Sequence, residues 1–202
     1  MMQVKTTQKI SRSAVATVLA TSTVALGLPP QTNAAEIFKD VKPADFFYTA
    51  VYELAEKKVV NGYGDGTFRP FNNVTRGEAA KMLALSLKLD VAKAETTQFS
   101  DVKKGDLFYK YIAALANKGI INGYPDGTFK PNEVVQRGAM AKMVALGYEF
   151  TLAKNFTHPF KDVDQKHIFN QHIQTLVNLN ITKGTSFNTF SPGKAVTRGE
   201  LA

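Results

Sequence analysis

Gly62-Tyr63-Gly64-Asp65-Gly66-Thr67-Phe68-Arg69-Pro70 returns as Gly123-Tyr124-Pro125-Asp126-Gly127-Thr128-Phe129-Lys130-Pro131, and more loosely as Gly184-Thr185-Ser186-Phe187-Asn188-Thr189-Phe190-Ser191-Pro192. The offset is 61 residues each time, and two other markers keep it. Upstream, Phe38-Lys39-Asp40-Val41 recurs as Phe99-Ser100-Asp101-Val102 and as Phe160-Lys161-Asp162-Val163. Downstream, Arg76 recurs as Arg137 and Arg198. Three markers holding one period without an insertion mean three copies of one structural unit.

Around the loop each unit reads helix, loop, helix, so the expected class is mainly α. In the first unit Phe47, Val51, Leu54 and Ala55 fall at helical spacing, with Glu53, Glu56 and Lys57 between them. Asn61-Gly62 is expected to stop this helix, and the Asp-Gly pair after it reads as a tight turn. Thr75 opens a second helix whose stretch 79–89 is apolar enough to be buried on most sides. The second unit repeats the pattern from Phe108 to Phe150, and segments 90–98 and 151–159 read as polar connectors. In the third unit Phe187 and Asn188 replace the Asp-Gly pair, and Asn tolerates the left-handed conformation a tight turn can need. A full third unit would run about 18 residues past Ala202 by the repeat arithmetic, which reads as the N-terminal part of a longer protein.

The N-terminus has a different composition. Lys5, Lys9 and Arg12 precede an uncharged, mostly apolar run from Ala14 to Leu28, then Pro29-Pro30 and Thr32-Asn33-Ala34-Ala35. This is the layout of a secretory signal, cleaved after Ala34 or Ala35. The run is shorter than the ~20 residues a membrane span needs, so no span is expected once the signal is removed. The expected organisation is a signal over 1–34 and units over 35–98, 99–159 and 160–202.

Of the 202 residues, 44% are hydrophobic and 21% charged, and none is cysteine. That composition suits a folded chain and excludes disulfide scaffolds, thiolate nucleophiles and cysteine-based metal sites. The net charge of +8 falls to +5 beyond residue 34, because Lys5, Lys9 and Arg12 leave with the signal. The remaining basic residues form no cluster, so nucleic acid is not an expected partner.

The markers closely resemble the S-layer homology (SLH) domain of bacterial surface proteins. The likeness rests on Phe-x-Asp-Val, on Gly-Tyr-x-Asp-Gly-Thr-Phe-x-Pro at 62–70 and 123–131, and on Val-Thr-Arg-Gly-Glu at 74–78 and 196–200. It implies three tandem units folded as one pseudo-threefold body with a central helix bundle. It also implies grooves between units that hold secondary cell-wall polysaccharide, often at pyruvylated N-acetylmannosamine. The family's basic ligand contact carries over to Arg76, Arg137 and Arg198. The second unit departs, reading Gln136-Arg137-Gly138-Ala139, and the tryptophan often found seven residues into a unit is replaced by Phe46, Leu107 and Ile168.

Several residues admit two readings. Thr75 with Glu78, and Thr197 with Glu200, fit the capping box of a helix start, which gives both glutamates a structural role beside any ligand contact. An arginine at a helix N-terminus suits a bound carboxylate, because N–H groups, the dipole and a bidentate fork converge there. The alternative is an internal ion pair with Asp40, Asp101 or Asp162. Gly62, Gly123 and Gly184 are either helix C-caps or bare backbone that a sugar can approach. Asp65 and Asp126 read as turn residues, and Phe68, Phe129 and Phe190 as pins holding the loop to the core. Phe47, Phe108 and Phe169 are either core or sugar platform. The expected polysaccharide-binding set is Arg76, Arg137, Arg198, Asp40, Asp101, Asp162, Gly62, Gly123 and Gly184, with no metal and no cofactor.

Three functions follow. The first is a non-catalytic anchor at the cell surface, tethering a surface or S-layer protein, where three sites facing a repetitive polymer would gain about 10²–10⁴ in avidity. The second is the anchor region of an exported wall-modifying enzyme whose catalytic domain lies elsewhere. His158, His167 and His172 do not form the His-Glu-x-x-His spacing, and there is no Gly-x-Ser-x-Gly. The third is an assembly module binding other S-layer subunits.

Overall fold

The computed structural model describes residues 37–94 and 96–202. The export signal expected over 1–34 lies outside the described residues. Six α-helices alternate with loops: α1 (Tyr48–Glu56), α2 (Arg76–Ser86), α3 (Tyr109–Asn117), α4 (Arg137–Gly147), α5 (Asn170–Asn178) and α6 (Arg198–Leu201). A 3-10 turn, Val91–Lys93, sits in the first connector. Extended pairing among the described residues is confined to isolated bridges. Helix, loop, helix is therefore met three times, and the chain is mainly α.

The first helix of each unit ends earlier than Asn61-Gly62 suggests. Lys58 takes a φ of 58°, and Val59 N donates to Leu54 O while Lys58 N donates to Ala55 O. This is the Schellman stop, with the left-handed residue just past the helix. Gly119 and Asn180 close α3 and α5 in the same way, with φ of 70° and 57°. The C-cap reading of Gly62, Gly123 and Gly184 is thus corrected. They are small for another reason: a Cβ on any of them would collide with a phenyl ring, that of Phe38, Phe99 or Phe160, and with a loop carbonyl. Among these loops Gly66 and Gly127 take the left-handed turn position, both at φ 78°. Asn188 takes no positive φ but keeps the shared bond, accepting from Lys161 N as Gly66 does from Lys39 N.

The second helices are buried on more than one side, as their composition suggests. Gly77, Ala79, Ala80, Met82, Leu83 and Ala84 of α2 are all buried. α2 packs on α3 of the next unit, α4 on α5, and α2 on α4. At the end of α6, Leu201 and Ala202 pack against the first unit's cluster around Phe47, Val51 and Phe68. Connector 151–159 is pinned by α5: buried Gln174 accepts from Thr157 N and His158 N at 2.6 and 2.8 Å, and Thr175 Oγ1 from Ala153 N.

Three valines join the units in a closed cycle. Val74 N donates to Val196 O at 2.8 Å, Val196 N to Val135 O at 3.0 Å, and Val135 N to Val74 O at 2.9 Å. All three side chains are buried in one cluster. Hydrogen-bonding backbone at the centre of an apolar cluster must be satisfied within the protein, and the cycle does so without a sheet.

Candidate functional site

Each loop is held from behind by the aspartate of its Phe-x-Asp-Val marker. The Asp40 carboxylate accepts Phe68 N and Arg69 N, both at 2.7 Å, and Asp101 accepts Phe129 N and Lys130 N at the same distance. Asp162 accepts Phe190 N at 2.9 Å and Ser191 N at 2.7 Å. The phenylalanines between these bonds are almost fully buried, so they do pin the loops. Asp65 sits at the turn, where Thr67 Oγ1 donates to it at 2.6 Å and Arg69 Nη2 at 3.0 Å. Those two donors hold its carboxyl far below the usual carboxylate range, and Thr128 lowers Asp126 likewise.

The arginines reach forward to the loop of the next unit. Arg76 Nε donates to Phe129 O at 2.7 Å, Arg137 Nε to Phe190 O at 3.0 Å, and Arg198 Nε to Phe68 O at 2.8 Å. Each guanidinium also lies over the ring of that same phenylalanine, 4.4–4.6 Å from its centroid. The cycle closed by the valines is therefore closed again by three side chains. No direct ion pair joins them: both oxygens of Asp40, Asp101 and Asp162 are taken by loop N–H groups, none of the three arginines makes an ion pair among the described residues, and Asp101 supports the Arg76 charge only from a distance.

The free helix N–H groups invoked for a bound carboxylate are also already used. Arg76 N and Gly77 N donate to Glu133 O and Pro131 O, Arg137 N and Gly138 N to Lys194 O and Pro192 O, and Arg198 N and Gly199 N to Asn72 O and Pro70 O. The third N–H of α2 and of α6 goes to the cap: Thr75 and Thr197 complete capping boxes with Glu78 and Glu200. Gln136 makes no side-chain cap on α4. The helix ends are therefore closed to a ligand, which leaves the arginine side chains, half-buried at Arg76 and Arg137 and buried at Arg198.

Three grooves open beside the arginines. One of about 510 Å³ is lined by Arg76, Asn122, Gly123, Tyr124, Ala139, Lys142 and Ile168, among others. A second, about 180 Å³, is lined by the equivalent Arg198, Asn61, Gly62, Tyr63, Glu78, Lys81 and Leu107. The third, about 230 Å³, lies at Arg137 with Glu200 and Phe190. Each groove combines an arginine with aliphatic walls. Burial pushes the Arg76 and Arg137 guanidinium groups below their ordinary range, which marks cations only partly compensated by the protein. Gly62 and Gly123 line grooves, whereas Asp40, Asp101 and Asp162 stand behind the loops.

The rings at 47, 108 and 169 go to packing. Each lies against the glycine that follows an arginine: Phe108 on Gly77, Phe169 on Gly138 and Phe47 on Gly199, so close that a Cβ would collide. Sequence reading passed over these glycines, although a glycine and a ring kept at the same 61-residue period were a signal. Their neighbours Phe46, Leu107 and Ile168 are 81, 73 and 78% exposed, and Leu107 and Ile168 form the lips of two grooves. His158 bonds Asn170 Oδ1 through Nε2. Among the described residues no His, Asp and Glu group is placed to hold a metal, and no helix is long and apolar enough to cross a membrane.

Comparison with known proteins decides the family. Residues 37–80, 98–141 and 159–202 each match the S-layer homology domain, together more than half of the chain. The chain belongs to the S-layer homology domain family. This SLH protein is 32% identical over 194 residues to an S-layer protein of Bacillus thuringiensis subsp. finitimus, covering 95% of the chain and 23% of that relative. It is 37% identical over 118 residues to a cellulosome-anchoring protein of Acetivibrio thermocellus, covering 56% of the chain and 26% of the relative. An endoglucanase of a Bacillus species is 31% identical over 171 residues, 82% of the chain and 18% of the relative. The chain thus spans about a quarter or less of the length of these relatives. Three SLH matches place it at the bacterial cell surface.

Proposed function

We propose that the chain is a non-catalytic anchor that holds a surface protein to the bacterial wall by binding secondary cell-wall polysaccharide in its inter-unit grooves. The observation that carries this reading is the repeated groove: an arginine guanidinium beside exposed aliphatic side chains, a combination suited to an acidic sugar. The relatives add support. An S-layer protein, a cellulosome-anchoring protein and an endoglucanase have unlike names yet match over the same kind of segment, so the shared part fits attachment better than any one chemistry.

In this reading the arginines contact ligand, with the loop backbone at Gly62, Gly123 and Gly184 shaping the grooves. Asp40, Asp101 and Asp162 fix the loops from behind. The three units are arranged about a pseudo-threefold axis, over 35–98, 99–159 and 160–202, after removal of a secretory signal over 1–34. A pyruvylated sugar supplies the carboxylate.

Sedimentation of the chain with wall sacculi, before and after chemical removal of the secondary polysaccharide, tests the proposal. Binding that is lost on stripping is the expected result. Binding that survives stripping would transfer the ligand to peptidoglycan. Failure to bind either, with concentration-dependent self-association, would favour the assembly reading.

A further inference from the structure

In the whole sequence two asparagines stand immediately before a glycine, Asn61 before Gly62 and Asn122 before Gly123. An exposed asparagine followed by glycine is the pair most prone to spontaneous deamidation, because the glycine nitrogen has no side chain beside it to shield it. The fold leaves both pairs open to that chemistry. Asn61 and Asn122 are exposed, and neither Gly62 N nor Gly123 N donates a hydrogen bond among the described residues. The glycines are fixed by packing, since a Cβ would strike the ring of Phe38 or Phe99. The asparagines are not: the third unit carries Lys183 before Gly184, and its loop is tied to an arginine in the same way.

That tie gives the reaction a direction. Arg198 Nη2 donates to the backbone oxygen of Asn61 at 2.9 Å, and Arg76 Nη2 lies 3.5 Å from that of Asn122. In the first step the glycine nitrogen attacks the asparagine Cγ and a C–N bond forms. The side-chain nitrogen leaves as ammonia, taking with it the proton of the former N–H. Water then opens the cyclic imide. Attack at Cγ breaks the new bond and leaves aspartate. Attack at the backbone carbonyl carbon breaks the original peptide bond instead, so the chain runs on through Cγ and the residue becomes isoaspartate. Its free carboxylate keeps the former backbone oxygen, the very atom that the arginine holds. A guanidinium there draws electrons from the carbonyl carbon and then pairs with the carboxylate formed on it.

We propose that Asn61 and Asn122 are sites of spontaneous modification, and that Arg198 and Arg76 steer them towards isoaspartate and capture its carboxylate. The two sites differ in degree. Asn61 is held close by a buried arginine, so its product is steered more strongly. Asn122 is held only at long range, so its backbone turns more freely and its imide forms faster. Both residues line grooves, Asn61 with Arg198 and Asn122 with Arg76. Each conversion therefore adds a negative charge to a groove and neutralises its arginine by an internal ion pair. An acidic wall polymer then meets a competitor already in place, so attachment weakens as the protein ages. That last step alone rests on the polysaccharide reading.

Ageing of the full chain in warm, mildly alkaline buffer tests this, read by peptide mass spectrometry and by enzymatic methylation of isoaspartate. Deamidation is expected at Asn122 first and at Asn61 second, ahead of every other asparagine. At Asn61 the ratio of isoaspartate to aspartate is expected to be about fivefold or more above that of the same chain unfolded in urea, where the Arg198 bond is gone. A folded chain that keeps both asparagines while the unfolded chain loses them would overturn the inference, and so would an equal ratio in the two states. Fresh and aged chains are then sedimented with wall sacculi, beside a variant carrying Asn61→Gln and Asn122→Gln. The aged chain is expected to bind less and the aged variant to bind as before. Undiminished binding by a chain shown to be converted would overturn the neutralisation step, whereas failure of the fresh chain to bind would overturn the polysaccharide reading instead.

Discussion

The arginine-glycine pair shows how two residue types share one position in the fold. Arg76, Arg137 and Arg198 reach the next loop, and the following glycine lets a phenylalanine close against the helix. Alanine at a helical position ordinarily stabilises by about 1 kcal/mol over glycine. Here the added methyl would drive into Phe108, and overpacking of this kind costs about 1–3 kcal/mol. Gly77→Ala is therefore expected to destabilise in urea denaturation, and to cost less when made in a Phe108→Ala background, where the ring it meets is gone. A stabilised Gly77→Ala variant would mean that the ring is free to move aside.

Among the elements, α4 is the informative one because it lacks what α2 and α6 share. Thr75 and Thr197 each accept the backbone N–H three residues on, whereas Gln136 offers no side-chain cap. A threonine cap is worth about 1 kcal/mol. Gln136→Thr is expected to raise stability by about that amount, read from the melting temperature, with little effect on the groove's arginine. The helix stops were partly readable: Gly119 after Lys118 is a usual C-cap signal, but Lys58 and Asn180 at the equivalent places share no residue type with it. Asn61-Gly62 drew attention instead because the glycine is kept. It is kept for a ring that arrives from 24 positions earlier in the chain, which no local pattern reports.

Across the molecule, Arg198 adds a side-chain tie from the third unit to the first, beside the backbone bond of Val74 to Val196. It is 7% exposed, and its bonds to Phe68 O and Asn61 O join residues 130 and 137 positions apart. Hydrogen bonds from a charged donor contribute about 1.5–3 kcal/mol each. Arg198→Ala is expected to cost about 3 kcal/mol or more by urea denaturation, and to release the first unit's loop in hydrogen exchange. Arg76 is half-buried and holds one close bond and one long one, so Arg76→Ala should cost less stability. In sedimentation with wall sacculi Arg76→Ala is expected to weaken binding without a matching loss of stability. If both variants lost stability and affinity in the same proportion, the arginines would be structural alone.

The repeating unit, the number of its copies and the mainly α class are legible in the residues alone. A 61-residue period, helical spacing before and after each loop, and capping residues at 75 and 197 are local or repeated properties, and each acts without knowledge of the remaining chain. What the kept residues do depends on contacts that form only in the folded chain. Asp40, Asp101 and Asp162 read in sequence as an arginine's partner or a ligand contact, and the fold gives them to the loop instead. The choice among them depends on which backbone N–H groups come within 3 Å once the loop folds back across 28 residues. The same holds for Ala139. In sequence it is a lost cap residue, and in the folded chain it lines a groove of about 510 Å³, because the neighbouring unit's Arg76 is brought opposite it.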